Sequence, residues 1–247
     1  MMQSLKAEYR KLFTVRSTYV ILLIVLVLMI FFGFFISGWR IDSSDLHNSG
    51  TLAGDVTGAV GTVSLFLALI ATLLMTHEYR YNTIMHTLTL SNSRSRTLLA
   101  KILILSSIAV IFTVVVGVLA PLLAVAGIHA HHLKLVPQTL HFGDLLWRCL
   151  LFGWGYTMTG LLLATLIRNQ IGAILTLFIV PGTVEALAGL ILKKNVVYLP
   201  FSALESVIGN SRYSGSITNI HAAMVFMAYF IVGWIVAWSL FLSRDAN

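Results

Sequence analysis

Six runs of this sequence are apolar and almost free of charge over the length a helix needs to cross a bilayer, and no other feature limits the fold so tightly. They cover approximately residues 18–37, 56–76, 102–127, 145–167, 169–192 and 222–243. A helix rises about 1.5 Å per residue, so about 20 residues traverse a hydrocarbon layer of about 30 Å. Lipid supplies no hydrogen-bond partner to a backbone amide, and none of the runs alternates as a barrel strand does. The chain therefore reads as an all-α membrane protein with six transmembrane helices in a single transmembrane domain over residues 1–247. With 58% hydrophobic and only 10% charged residues, it is too apolar for a soluble core of its size. Pro121 in the third run and Pro181 in the fifth are expected to kink their helices.

An even number of spans places both termini on one side of the membrane. With the termini inside, that side carries Lys6, Arg10, Lys11, Arg16, Arg80, Arg94, Arg96, Lys101, Arg168 and Arg244, which is ten of the 16 basic residues. The net charge of +7 thus reads as orientation. No continuous basic face interleaved with aromatics suggests a nucleic-acid partner; the lipid bilayer is the expected surroundings. Leu5, Tyr9, Leu12 and Phe13 lie on one side of a helix over residues 4–16, with Lys6, Arg10 and Lys11 on the other. That pattern describes an interfacial amphipathic helix before the first span, and equally a basic flank that only fixes topology. The first apolar run continues without a cleavage site and is expected to remain as an anchor.

The usual catalytic signatures do not occur. There is no phosphate-binding G-x-x-x-x-G-K-[ST] and no H-E-x-x-H, and Ser64 in "GTVSL" lacks the second glycine of a nucleophile elbow. The single cysteine, Cys149, excludes an intrachain disulfide. His129, His131, His132 and His141 cluster in one loop, but adjacent histidines in a loop have no fixed ligand geometry, so they read as a solvated polar segment. No catalytic, cofactor-binding or metal-ligating residue is assigned.

Two charges lie inside the apolar runs. Glu185 in "FIVPGTVEALAGLIL" and Arg148 in the fourth run fall at comparable depth on neighbouring antiparallel helices, so they are expected to form an intramembrane ion pair or to face a pathway. After the fifth run, "YLPFSALESVIGN" carries a capping box, Ser202 to Glu205, and an apolar side formed by Phe201, Leu204, Val207 and Ile208. It predicts a short external helix before the last span.

Between the second and third runs lies "EYRYNTIMHTLTLSNSRSR", residues 78–96. Asn82 can cap a short helix on which Ile84, Met85 and Leu88 make one apolar edge. So short a helix is marginal alone in water, and its edge must dock on lipid headgroups or on another protein. The order of elements, with Glu78, Tyr79, Arg80, Asn82, Thr83, Ile84, Leu88, Ser91, Arg96 and Lys101 at matching places, resembles the permeases of type-two ABC exporters. The late "YLPFSALESVIG" is similar to the branch associated with bacitracin and lantibiotic self-protection. Asn82 stands where glycine is frequent in that family.

The resemblance implies that residues 78–96 contain a cytoplasmic coupling helix contacting a separate ATPase subunit through Glu78, Tyr79, Arg80, Asn82, Thr83, Ile84, Met85, Leu88, Ser91, Arg94 and Arg96. ATP and magnesium would then belong to that partner. It also implies that the chain is no enzyme itself but half of an exporter in a prokaryotic cell membrane, as a homodimer or with a related permease, above two ATPase copies. The cargo would be an antimicrobial peptide, a lipid-like molecule or a hydrophobic drug. The residues alone leave open an intramembrane metal-dependent hydrolase, using the histidine loop and Glu185, and a non-enzymatic sensor or anchor subunit.

Overall fold

In the computed structural model, residues 8–10, 14, 16–39, 41–81, 94–209 and 217–243 are described, the side chains of residues 16, 17, 43 and 94 excepted. Helix α1, Arg16–Ile30, runs into a π-helical stretch, Phe31–Trp39. A short α2, Ser43–Leu46, leads to α3, Thr51–Arg80, and α4 covers Arg94–Ala130. The fourth span is α5, Phe142–Ile167. The fifth comprises α6, Gln170–Ile179, a π turn Val180–Val184, α7, Glu185–Leu192, and a 3-10 segment Lys193–Tyr198. Short helix α8, Pro200–Val207, precedes α9, Asn219–Ser243.

Among the described residues, six helices are long and apolar enough to cross a membrane, and each coincides with an expected run. They extend beyond the apolar residues because polar side chains at their ends find partners, as described below. Of the expected interfacial helix over residues 4–16, residues 8–10, 14 and 16 are helical, the last as the start of α1, and the rest lies outside the described residues. The two prolines behave differently. Helix α4 continues through Pro121, whereas at Pro181 the missing amide and the ring's bulk coincide with a π turn.

The core is built by the second and fourth spans. About half of their most apolar windows is buried, 50% and 56%, against 11% for the first span and 17% for the fifth and sixth, so the latter three turn most of their surface outward to lipid. Small residues make this close approach possible. A Cβ on Gly160 would collide with the backbone carbonyl of Ala68, and the Thr72 hydroxyl, donating at 2.8 Å to the Ala68 carbonyl, lies 3.1 Å from that of Gly160. Without a water-driven force between helices in lipid, such backbone contact and interhelical bonding hold the pair together. Thr76, Thr157 and Thr165 donate to the carbonyl four residues back, so their hydroxyls are satisfied within their own helices. The first span meets the third at Gly38 and Gly127, where a Cβ on Gly38 would lie 2.7 Å from the Gly127 Cα.

The two loops at the far end of the bundle are tied together. The Val136 and Thr139 amides donate to the carbonyls of Leu46 and Ser49, and Gln138 accepts at 3.1 Å from the Leu52 amide in the first turn of α3. Among the described residues, no group of three or more His, Cys, Asp or Glu side chains is arranged to hold a metal. His131 instead stacks edge-on against Trp39 at 4.7 Å between ring centroids.

Gly160→Val is expected to wedge the second and fourth spans apart and cost about 1–3 kcal/mol through overpacking. Gly182→Ala, in the π turn with no atom within 4 Å of the added carbon, serves as the control. Thermal unfolding in detergent reads the difference; equal losses in both variants would remove Gly160 from the packing account.

Candidate functional site

The candidate site lies at the basic end of the bundle, where the second and third spans flank the segment 82–93. Lys101 stands in the second turn of α4 among the buried residues Thr97, Leu98, Ala100 and Leu105 and has no solvent exposure. Its Nζ donates to Glu78 Oε1 on α3 and to Glu8 Oε2 in the amino-terminal segment, both at 2.7 Å. Glu8 is 2% exposed and Glu78 5%. An ammonium and two carboxylates out of water persist only when each is compensated by the others and by hydrogen bonds. The triad therefore fastens the amino-terminal segment, the end of the second span and the start of the third to one another.

A second set of contacts gathers the remaining helices at the same end. Arg80 Nη1 donates to Gln170 Oε1 at 3.1 Å, joining the second span to the fifth. The Arg168 guanidinium lies over the Tyr79 ring, 5.4 Å from its centroid, and donates to the Leu240 carbonyl on the sixth span at 3.3 Å. Arg168 holds this position at the C-terminus of α5 with φ of 55°, a left-handed cap, and Asn169 then caps α6 by accepting from the Gly172 amide at 3.0 Å. Two adjacent polar residues thus reverse the chain between the fourth and fifth spans.

These positions revise the expected contact set. Glu78, expected to face an ATPase subunit, is turned inward, because the buried Lys101 ammonium demands it. Tyr79 is half-buried beneath Arg168, while Arg80, Tyr81 and Arg96 are exposed at the basic end. Asn82, Thr83, Ile84, Met85, Leu88 and Ser91 lie outside the described residues, as does the Arg94 side chain. Lys101, which the sequence offered only as part of the family pattern at the edge of the third run, carries a buried double ion pair at this end. Glu8 was not singled out by the sequence; the available signal is that it is the lone acid in an otherwise basic first 41 residues.

The expected pair between Glu185 and Arg148 does not form, for a reason that lies in α8. Glu185, 4% exposed, accepts from the Phe201 amide at 2.9 Å and from the Ser202 amide and hydroxyl, each at 2.6 Å. It serves the first turn of α8, where free N–H groups and the helix dipole favour an anion. Arg148 sits at the other end, its Nε donating at 2.7 Å to the Val207 carbonyl and its Nη1 at 3.0 Å to Asp144. A short helix thus separates the two charges and matches each to its own terminus. The capping box is displaced as well: α8 begins at Pro200, and Ser202 lies within its first turn.

Residues 4–184 match the family model described as ABC-2 family transporter protein. No curated protein matches the chain.

Lys101→Met leaves two carboxylates facing each other in the interior and is expected to destabilise by about 3–5 kcal/mol, whereas adding Glu8→Gln and Glu78→Gln to it should restore much of the loss. Thermal unfolding of the single and triple variants checks this, and a mild single variant would contradict the triad. At α8, Glu185→Gln should cost about 1–3 kcal/mol, and the charge exchange Glu185→Arg with Arg148→Glu should worsen it because each charge would then oppose the helix dipole. Recovery in the exchanged protein would instead indicate a direct pair.

Proposed function

We propose, for a chain that belongs to the ABC-2 transporter family and so is a membrane permease of an ABC transporter, that it forms half of an ATP-driven export pathway. Two copies, both with cytoplasmic termini in a prokaryotic cell membrane, pair around one pathway. Each engages a separate ATPase subunit through the segment within residues 78–96, and ATP and magnesium are held by that partner.

The observation that carries this reading is the Lys101 triad. It joins both flanks of residues 82–93 and the amino-terminal segment through a buried ionic contact at 2.7 Å. A push delivered to the segment between the flanks would move the second and third spans as one body, and the second span packs along the fourth. The Arg80 and Arg168 contacts extend that connection to the fifth and sixth spans. An aromatic-lined hollow of about 250 Å³ beside the π turn, with Phe201, Phe226, Tyr229 and Phe230 in its wall, is consistent with an amphipathic cargo. The resemblance of the α8 region to the self-protection branch points the same way, toward an antimicrobial peptide or similar amphiphile.

Co-expressed with its ATPase, the chain is expected to purify as two permeases with two ATPases, which native mass spectrometry resolves. Ile84→Asp and Met85→Asp place a carboxylate on the docking edge, where desolvation without a partner costs several kcal/mol, and should abolish ATPase co-purification at normal membrane expression. A stable monomer lacking the ATPase, or full binding by both variants, would overturn the reading.

A further inference from the structure

A second polar feature lies at the opposite end of the bundle, in a cleft between the first and second spans. Its volume is about 240 Å³, and its walls include Ser37 and Gly33 from the π-helical stretch, Val25 and Met29 from α1, and Asp55 and Gly58 from α3. The Asp55 carboxylate is half-buried, and its Oδ2 is fully buried without a hydrogen-bond partner. An unpaired carboxylate oxygen out of water is costly, and a carboxylate within a span marks a functional position by default.

The cleft is also graded along the membrane normal. Asp55 lies one turn into α3, about 6 Å from the helix start, with Ser37 beside it near the end of the first span. From there the walls become apolar toward Val25 on one side and Val63 on the other. Thr62, the remaining polar wall residue, donates its hydroxyl to the Gly58 carbonyl at 3.1 Å and so adds little polarity. Gly54 and Gly58 keep the groove open, with no atom within 4 Å of a Cβ built on Gly58. One anionic group at interfacial depth above an apolar trough matches a single cationic head on an apolar body.

We infer that this cleft binds a lipophilic amine, with its ammonium on Asp55 and its hydrocarbon part between the first and second spans. A zwitterionic aminolipid fits less well, since its phosphate would be brought against the same carboxylate. The inference concerns binding by this chain and holds whether or not the bound amine is exported.

The test uses the purified full-length chain in detergent, with decylamine as probe and decanol and decanoate as chain-matched controls. Ligand-dependent thermal stabilisation gives an apparent affinity. Decylamine should stabilise the wild-type chain with an apparent affinity about tenfold or more above decanol, and Asp55→Asn should bring it to the decanol level. Gly58→Leu fills the trough without an initial clash and should abolish stabilisation by decylamine and decanol alike; this variant decides the matter if Asp55→Asn does not fold. Equal responses to decylamine and decanol in the wild type, undiminished decylamine binding by Gly58→Leu, or displacement of decylamine by phosphatidylethanolamine as effectively as by a second alkylamine would overturn the inference.

Discussion

A lysine ammonium with no access to water must be neutralised where it stands, and Lys101 is met by two carboxylates at 2.7 Å. Much of the basic end follows from that requirement. Glu78 is drawn inward from the end of the second span, and Glu8 is drawn in from the amino-terminal segment. Because the three residues belong to three separate stretches of chain, their pairing fixes the register of those stretches, which apolar packing alone specifies weakly. Registry is the best-attested use of buried polar groups, since their net contribution to stability against an apolar core is often small.

The rest of the bundle obeys the same rule in neutral form. Threonine hydroxyls donate back along their own helices, and glycines let backbones touch where side chains would hold helices apart. Short helix α8 is the most exacting case, because a helix of eight residues leaves most of its terminal groups without internal partners. Glu185 and Arg148 answer opposite ends of it, Arg148 being paired as well with Asp144, so one helix dipole helps to compensate two membrane charges. The far end thereby becomes a fixed cap on the fourth and fifth spans, while the basic end is held by ion pairs. Forces applied at the basic end have a firm body to act on.

The six spans were legible in the sequence because lipid imposes one requirement on every residue of a crossing helix, and a run of apolar residues satisfies it visibly. Their ends were less legible. Asp55, Glu78 and Lys101 look like places where a span must stop, yet all three lie within helices. The triad was half visible: Glu78 and Lys101 belonged to the recognised pattern, but their mutual contact depends on two helices crossing, which periodicity does not encode. Glu8 was hidden among basic neighbours. Glu185 and Arg148 were read as charges at comparable depth that needed partners, and each instead meets groups of α8. The misreading arose because backbone groups of α8 are partners that no side-chain inventory contains.

By joining the flanks of the segment proposed to face the ATPase, the triad would carry movement there into the spans. The direct measurement is export per ATP hydrolysed by the reconstituted permease–ATPase complex carrying Lys101→Met, Glu8→Gln and Glu78→Gln together, with assembly and thermal stability measured on the same preparation. The account predicts an assembled, stable complex that still hydrolyses ATP but exports poorly, because apolar and amide side chains fill the site without fixing its register. Export that keeps pace with hydrolysis as in the wild type would contradict it.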